Sequence, residues 1–294
     1  MSHPSNKDII SNALFNLKGR VALVTGGGSG IGLMITQALA VNGAKVYIVG
    51  RTGEKLDTVA KEYNGDDIDG EIIPLQGDVS KKEDIARLYN EISSREKCLC
   101  ILVNNAGVSG STFQQEAQSP EEAKKNLFDS DDATFEEWEK IYRTNVSQIY
   151  FTTTAFLPLL AHSTEEHKDY SGTVINIASV SGLLKDSQHH PAYNASKSAA
   201  IHLSRMLANL VAQNRFKIRV NSISPGVFPS EMTTGGSGQD QKSHIPKEKY
   251  DKVPARRPGK EEDIARAVIH LVVNQYINGH NELVDGGYSL IEGY

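Results

Sequence analysis

Cysteine is scarce: the chain of 294 residues carries 2, Cys98 and Cys100. They lie two apart in the apolar run Cys98-Leu-Cys-Ile-Leu-Val103, so on a strand they face one side. That spacing gives neither a disulfide framework nor the Cys-x-x-Cys turn of a redox pair, and the two read as reduced thiols of a core. Long apolar runs are missing too. Nothing approaches the roughly 20 residues that cross a bilayer, which excludes an integral membrane protein. Basic charge is short: Lys and Arg total 31 against 36 Asp and Glu, a formal net charge of -5. Such a chain has no field to grip a phosphate backbone, so nucleic acid is not an expected partner. The opening stretch, Met1 to Asn16, lacks the apolar segment and cleavage site of a secretory signal. It reads as a loose arm on a cytoplasmic protein.

What is present is globular. With 39% hydrophobic and 23% charged residues the chain sits inside the range of ordinary folded domains, and residues 17–294 are expected to form one of them. Short apolar runs alternate with helical periods: Val21 to Thr25 then Ile31 to Val41, Lys45 to Val49 then Glu54 to Tyr63. The rhythm continues through Ile72 to Gln76, Lys82 to Ser93, Leu99 to Asn104, Phe135 to Leu160, Thr173 to Ala178, Ala192 to Gln213, Ile218 to Ile223, Glu261 to Val273 and Glu282 to Val284. This predicts an α/β fold: a doubly wound, seven-stranded parallel sheet with helices on both faces and ligands beyond the strands' C-terminal ends. Three polar segments break the rhythm, Ser109 to Asp132, His162 to Ser171 and Pro225 to Lys252. The first and third follow strand ends, where substrate loops (about 108–132 and 226–252) belong, while the second reads as a charged surface loop.

The segment Val21-Ala-Leu-Val-Thr-Gly-Gly-Gly-Ser-Gly-Ile-Gly32 is a buried strand, a glycine turn and a helix start. Gly26, Gly30 and Gly32, with Ser29 and Ile31 between them, let the backbone close tightly while free N–H groups at the helix start face a pyrophosphate. On its own the motif is also compatible with a bare turn. The second strand ends Val49-Gly-Arg51, without the carboxylate that holds the ribose 2′-hydroxyl of NAD. Arg51 offers a planar donor fork and a permanent charge to a 2′-phosphate, and the predicted cofactor is NADP(H). Downstream, Tyr193 and Lys197 lie one turn apart on a helix and share a face. An ammonium beside a phenol, together with the positive nicotinamide ring, favours the phenolate and brings the hydroxyl toward working pH, so Tyr193 is a candidate acid and base.

With these residues in view the sequence resembles the short-chain dehydrogenase/reductase family from about Leu17 to Gly287. Besides Thr25 to Gly32 and Tyr193-x-x-x-Lys197 it shows Asp78-Val79, Asn104-Asn-Ala-Gly107, Asn145 in a long helix, Ser179, Pro225-Gly226 and Asp285-Gly-Gly287, in the family's order. The resemblance implies a Rossmann-like domain in which Asp78 and Val79 contact the adenine and Asn105 and Gly107 line the cofactor. It implies that Pro225, Gly226, Phe228 and Ser230 flank the nicotinamide under a mobile lid. Asn145, Ser179, Tyr193 and Lys197 would be the catalytic tetrad: Ser179 holds the carbonyl oxygen, Tyr193 moves the proton, Lys197 holds the ribose, and Asn145 anchors a water relay. The runs Phe15 to Arg20 and Ser224 to Met232 look closest to reductases of 3-oxoacyl thioesters or secondary-metabolite ketones. A homodimer or homotetramer built on the helices of Asn145 and Tyr193 is implied as well.

His189 and His190 sit just ahead of Tyr193, but neighbours on an extended loop point apart and no third ligand follows at zinc-like spacing. No metal is expected, and pocket lining is a middle reading. Glu116, Glu121 and Glu122 with Lys124 and Lys125 read as a solvated helix face. Two other functions keep the glycine turn: a non-redox regulatory nucleotide binder, and a lyase or isomerase using the cofactor transiently.

Overall fold

Where Val, Ile and Leu run without polar alternation, strands end up covered on both faces. That is the state of β1 (Val21–Thr25), β4 (Ile101–Asn104), β5 (Gly172–Ile177) and β6 (Ile218–Pro225), buried along their whole lengths. In the computed structural model, which describes residues 10–65, 68–246 and 253–293, they join β2 (Lys45–Gly50), β3 (Glu71–Gln76) and β7 (Asn281–Val284). All seven form one sheet in the order β3-β2-β1-β4-β5-β6-β7. Every pairing is parallel, with Val24 beside Ile48 and Val103, and Asn104 beside Asn176.

Alternate residues of each strand supply two separate cores. Ala22, Val24, Val46, Ile48, Val103 and Ile175 pack under α2 (Gly30–Val41), α3 (Gly53–Tyr63) and α10 (Glu261–Val273) through Leu33, Leu39, Leu56 and Val268. Leu23, Tyr47, Val49, Leu102 and Val174 pack under α4 (Lys82–Arg95), α7 (Gln148–Glu166) and α8 (Pro191–Gln213) through Leu88, Phe156, Leu160 and Leu207. Each fully buried side chain of this size contributes about 1.5–3 kcal/mol, so the sheet is the rigid frame of the molecule.

Five expectations change in detail. The stretch Phe135 to Leu160 is not one helix: α6 (Phe135–Tyr142) passes through a π-turn, Arg143–Ser147, before α7. The wider turn inserts a residue and swings the Asn145 side chain inward. The segment His162 to Ser171 is not all loop, because α7 runs on to Glu166, with buried Ser163 donating to the Leu160 carbonyl at 2.7 Å. Ser109 to Asp132 contains α5 (Pro120–Leu127), started by Pro120 at its first turn and by Ser119, whose hydroxyl accepts from the Glu122 amide at 3.1 Å. No residue of α5 is buried. In the described part of the arm, α1 (Ser11–Leu14) makes a single turn ahead of buried Leu17. The third loop carries α9 (Glu231–Thr234), and its end, 247–252, lies outside the described residues. The chain closes with α11 (Tyr288–Glu292).

Candidate active site

The glycine turn is fixed by what its neighbours leave no room for. A Cβ on Gly32 would stand 1.9 Å from the Gly26 carbonyl oxygen, one on Gly26 2.8 Å from Asn105 Nδ2, and one on Gly30 2.8 Å from Ser230 Cβ. Gly26 and Gly30 also hold φ of 66° and 51°, in the region that favours glycine. Ser29 starts α2 without a side-chain cap, so the first N–H groups stay open toward the turn. Asn105 braces this arrangement: its Nδ2 donates to the carbonyls of Thr25 and Gly26 at 3.0 and 3.1 Å. Thr25 Oγ1 in turn accepts from the amides of Asn105 and Ala106 at 3.0 and 3.1 Å. The cradle fits a dinucleotide pyrophosphate, because its glycines let a phosphate approach the first N–H groups of α2, which no side chain caps.

A cleft of about 370 Å³ runs from this turn across the C-terminal ends of the strands. Gly26, Ser29, Gly30, Ile31, Gly32, Arg51, Asp78, Val79, Asn105, Gly107, Tyr193, Lys197 and Ser230 all line it. Arg51 is exposed at the adenine end. Burial alone would raise the Asp78 carboxyl, but the Ser80 hydroxyl and amide, Lys81 and Arg51 outweigh it and hold it below the usual carboxylate range. Its Oδ1 accepts from Ser80 N at 3.0 Å and Ser80 Oγ at 2.7 Å.

At the other end, α8 presents Tyr193 and Lys197, the Lys197 nitrogen lying 5.6 Å from the Tyr193 ring centre. Lys197 is 4% exposed and donates to the Ile177 carbonyl at 3.0 Å. Burial brings its pKa down to about 8. Burial also raises the Tyr193 phenol, partly offset by a hydrogen bond with the Ser179 side chain. Asn145 does not line the cleft but stands behind it. Its Oδ1 accepts from Val108 N at 2.9 Å, and its Nδ2 donates to Val108 O at 2.9 Å and Ser196 Oγ at 3.0 Å. Ser196 Oγ donates on to the Tyr193 carbonyl at 2.7 Å, so Asn145 ties the end of β4 to the first turn of α8.

Three cofactor candidates stand elsewhere. Pro225 ends β6, Gly226 packs on Asp285, and Phe228, 2% exposed, turns into the core against Gly259. None is among the residues lining the cleft. Conversely, Thr25, Lys55, Thr144 and Glu231 belong to the site and were not singled out from sequence. Thr25 stands in the quoted glycine motif. Lys55 follows Arg51 by four residues, in the first turn of α3. Glu231 reaches the cleft only because its loop folds back over a separation of 176 residues.

The wall beside Tyr193 is built by two loops. Phe113 N donates to the His189 carbonyl at 2.9 Å, His189 Nδ1 meets the Phe113 carbonyl at 3.0 Å, and Gln115 Nε2 meets Ser187 Oγ. His189 is not extended as read from sequence but left-handed, with φ of 64°, as is Gln188 before it at 51°. His190 places its ring 6.3 Å from that of Tyr193, and its Nδ1 is buried without a partner. At the opposite end of the sheet Cys98 and Cys100 are buried free thiols with sulfurs 3.8 Å apart, and a His167 nitrogen lies within 4.8 Å of both. The Arg20 cation beside Cys100 opposes a metal ion there.

The family model described as short chain dehydrogenase matches residues 20–241. Short-chain dehydrogenase/reductase PhomF of Diaporthe leptostromiformis is 38% identical over 98% of this chain and 97% of its own. The rhamnolipids biosynthesis 3-oxoacyl-[acyl-carrier-protein] reductase of Pseudomonas aeruginosa is 34% identical over 94% of this chain and 98% of its own. A solved structure, the Pseudomonas aeruginosa RhlG/NADP active-site complex, superposes with a TM-score of 0.77 at 32% identity, covering 94% of this chain and 98% of that one. No described helix is long and apolar enough to cross a membrane. A parallel sheet of this order, a glycine cradle at the end of β1 and a Tyr-Lys pair converging on one cleft, with relatives of these identities, place the chain in the short-chain dehydrogenase/reductase family of oxidoreductases.

Proposed function

We propose that the protein is an NADP(H)-dependent ketoreductase that interconverts a ketone or 3-oxoacyl carbonyl and a secondary alcohol. The observation that carries this is the pairing of Lys197 and Tyr193, itself hydrogen-bonded to the Ser179 side chain behind the cleft lining, at one end of the cleft with Arg51, in place of a carboxylate, at the other. The NADP in the related Pseudomonas structure supports the cofactor choice. When bound, the nicotinamide supplies the hydride.

The chain's own groups do the rest. Tyr193 keeps its proton through neutral pH, because burial raises the phenol, and it donates that proton to the carbonyl oxygen during reduction. Ser179 fixes the same oxygen. Lys197 is an ammonium below about pH 8 and holds the ribose side of the cleft. Asn145 has spent its Nδ2 on Val108 and Ser196 but keeps a lone pair on Oδ1, where a relayed water fits. Gly107 leaves that route open, since a Cβ there would stand 3.2 Å from Asn145 Oδ1 and 3.5 Å from Lys197 Nζ. Ser230 covers the glycine turn from the lid. We read the assembly as a homodimer or homotetramer joined along α7 and α8, which expose Tyr150, Phe151 and Met206.

The test is oxidation of NADPH and NADH by the purified protein across β-keto esters, 3-oxoacyl thioesters, cyclic ketones and quinones, with Arg51→Asp in parallel. Turnover on one carbonyl class, with NADPH preferred and the preference reduced about tenfold or more by Arg51→Asp, is expected. Tight NADPH binding with no turnover would sink the reductase. Conversion of a substrate with no net cofactor consumed would replace it with a lyase or isomerase.

A further inference from the structure

Arg51 alone is a poor match for the group it is expected to read. A 2′-phosphate carries about -1.5 to -2 at neutral pH, and the turn offers Ser29 where a second cation could stand. Asp78, on the facing strand end, adds negative charge, although Ser80 and Lys81 already cover it. The structure does hold one further cation at this end. Lys55, in the first turn of α3, lines the same cleft as Arg51, Gly28 and Ser29 and is 43% exposed. Its ammonium does not point into solvent: it pairs with Glu231 Oε1 at 2.6 Å. That oxygen also accepts from Ser237 Oγ at 2.6 Å, and Glu231 opens α9 of the lid.

We propose that Lys55 is the second cation of the 2′-phosphate site, and that Glu231 of the lid occupies it as an internal anion until the phosphate takes its place. The inference rests on the NADP(H) reading and goes beyond it by naming a specificity residue and a lid contact tied to it. The lysine is ordered by the carboxylate and so stands ready at the mouth of the site. The carboxylate keeps the ammonium at the mouth of the site but competes with the phosphate for it, so its removal does not weaken phosphate binding. Among the charged groups at this end, Arg51 and Lys55 are the cations not already committed to Asp78 alone. The carboxylate that must yield is the one on the lid, so 2′-phosphate binding also frees the lid from α3.

Two variants break the same ion pair and predict opposite results. Calorimetric binding of adenosine 2′,5′-bisphosphate and of AMP reads the site without turnover. The wild-type protein should favour the bisphosphate at least about tenfold. Lys55→Met should lose about tenfold on the bisphosphate and less than about twofold on AMP, and Lys55→Arg should recover most of the loss. Glu231→Gln, which leaves the lysine without its internal anion, should bind the bisphosphate as well as or better than wild type. If Lys55→Met and Glu231→Gln behave alike, the pair is only a clasp on the lid and the proposal falls. If Lys55→Met keeps the wild-type ratio, the proposal falls while the NADP(H) reading stands. A wild-type protein that does not distinguish the two ligands overturns both.

Discussion

The two ends of the cleft are made from different materials. The cofactor end is backbone: a glycine turn, the open N–H groups of α2, and Thr25 and Asn105 holding the carbonyls in place. It tolerates no change of volume and needs few side chains. The reacting end is the reverse, a meeting of side chains from the π-turn, the turn after β5 and α8, held by buried bonds such as Lys197 to Ile177 and Asn145 to Val108. Beyond it the wall of 108–118 and 184–190 is held by loop-to-loop bonds and strained at Gln188 and His189. The contrast teaches that the general task, holding a dinucleotide, is carried by main chain, whereas the reaction and its substrate are carried by side chains on separate elements.

Substitutions can break this comparison. The largest effect is expected from Tyr193→Phe, which should cut turnover by about 10³-fold while NADPH affinity, measured by fluorescence titration, stays within about threefold. A variant that keeps most of its rate would remove Tyr193 as the acid. Next is Gly32→Ala. The added Cβ meets a carbonyl oxygen at 1.9 Å, so the turn must open at a cost of about 3 kcal/mol. Both cofactor binding and melting temperature should fall, and an unchanged melting curve would show that the turn is softer than its geometry. The smallest is His190→Phe, which keeps a ring beside Tyr193 but removes the buried Nδ1. It should raise the KM for the carbonyl substrate by about tenfold and leave NADPH affinity alone. A change in NADPH affinity instead would move His190 from the substrate wall to the cofactor end.

The backbone-built end was largely legible in sequence. Its glycines are spaced by local geometry, and the strand before them is buried on every residue, with Thr25 the one polar member. Arg51 was legible for the same reason, since it closes a strand whose end is fixed by the apolar run. The reacting end was legible only in part. Tyr193 and Lys197 share a helix and so appear as a spacing. The inward turn of Asn145 depends on a π-turn that its helical period does not announce. Phe228 was placed by its neighbours in the chain, yet its ring found the space left by Gly259 in the core.

The sequence by itself determined the parallel sheet, the glycine cradle and the sharing of one helix face by Tyr193 and Lys197, all of them properties of short runs whose period or spacing is a local matter. The tertiary structure alone decided that Lys55 meets Glu231, that His189 meets Phe113, and that Asn145 stands behind the cleft. Those contacts join residues far apart in the chain, and loop closure leaves no trace of its end points in the residues between them.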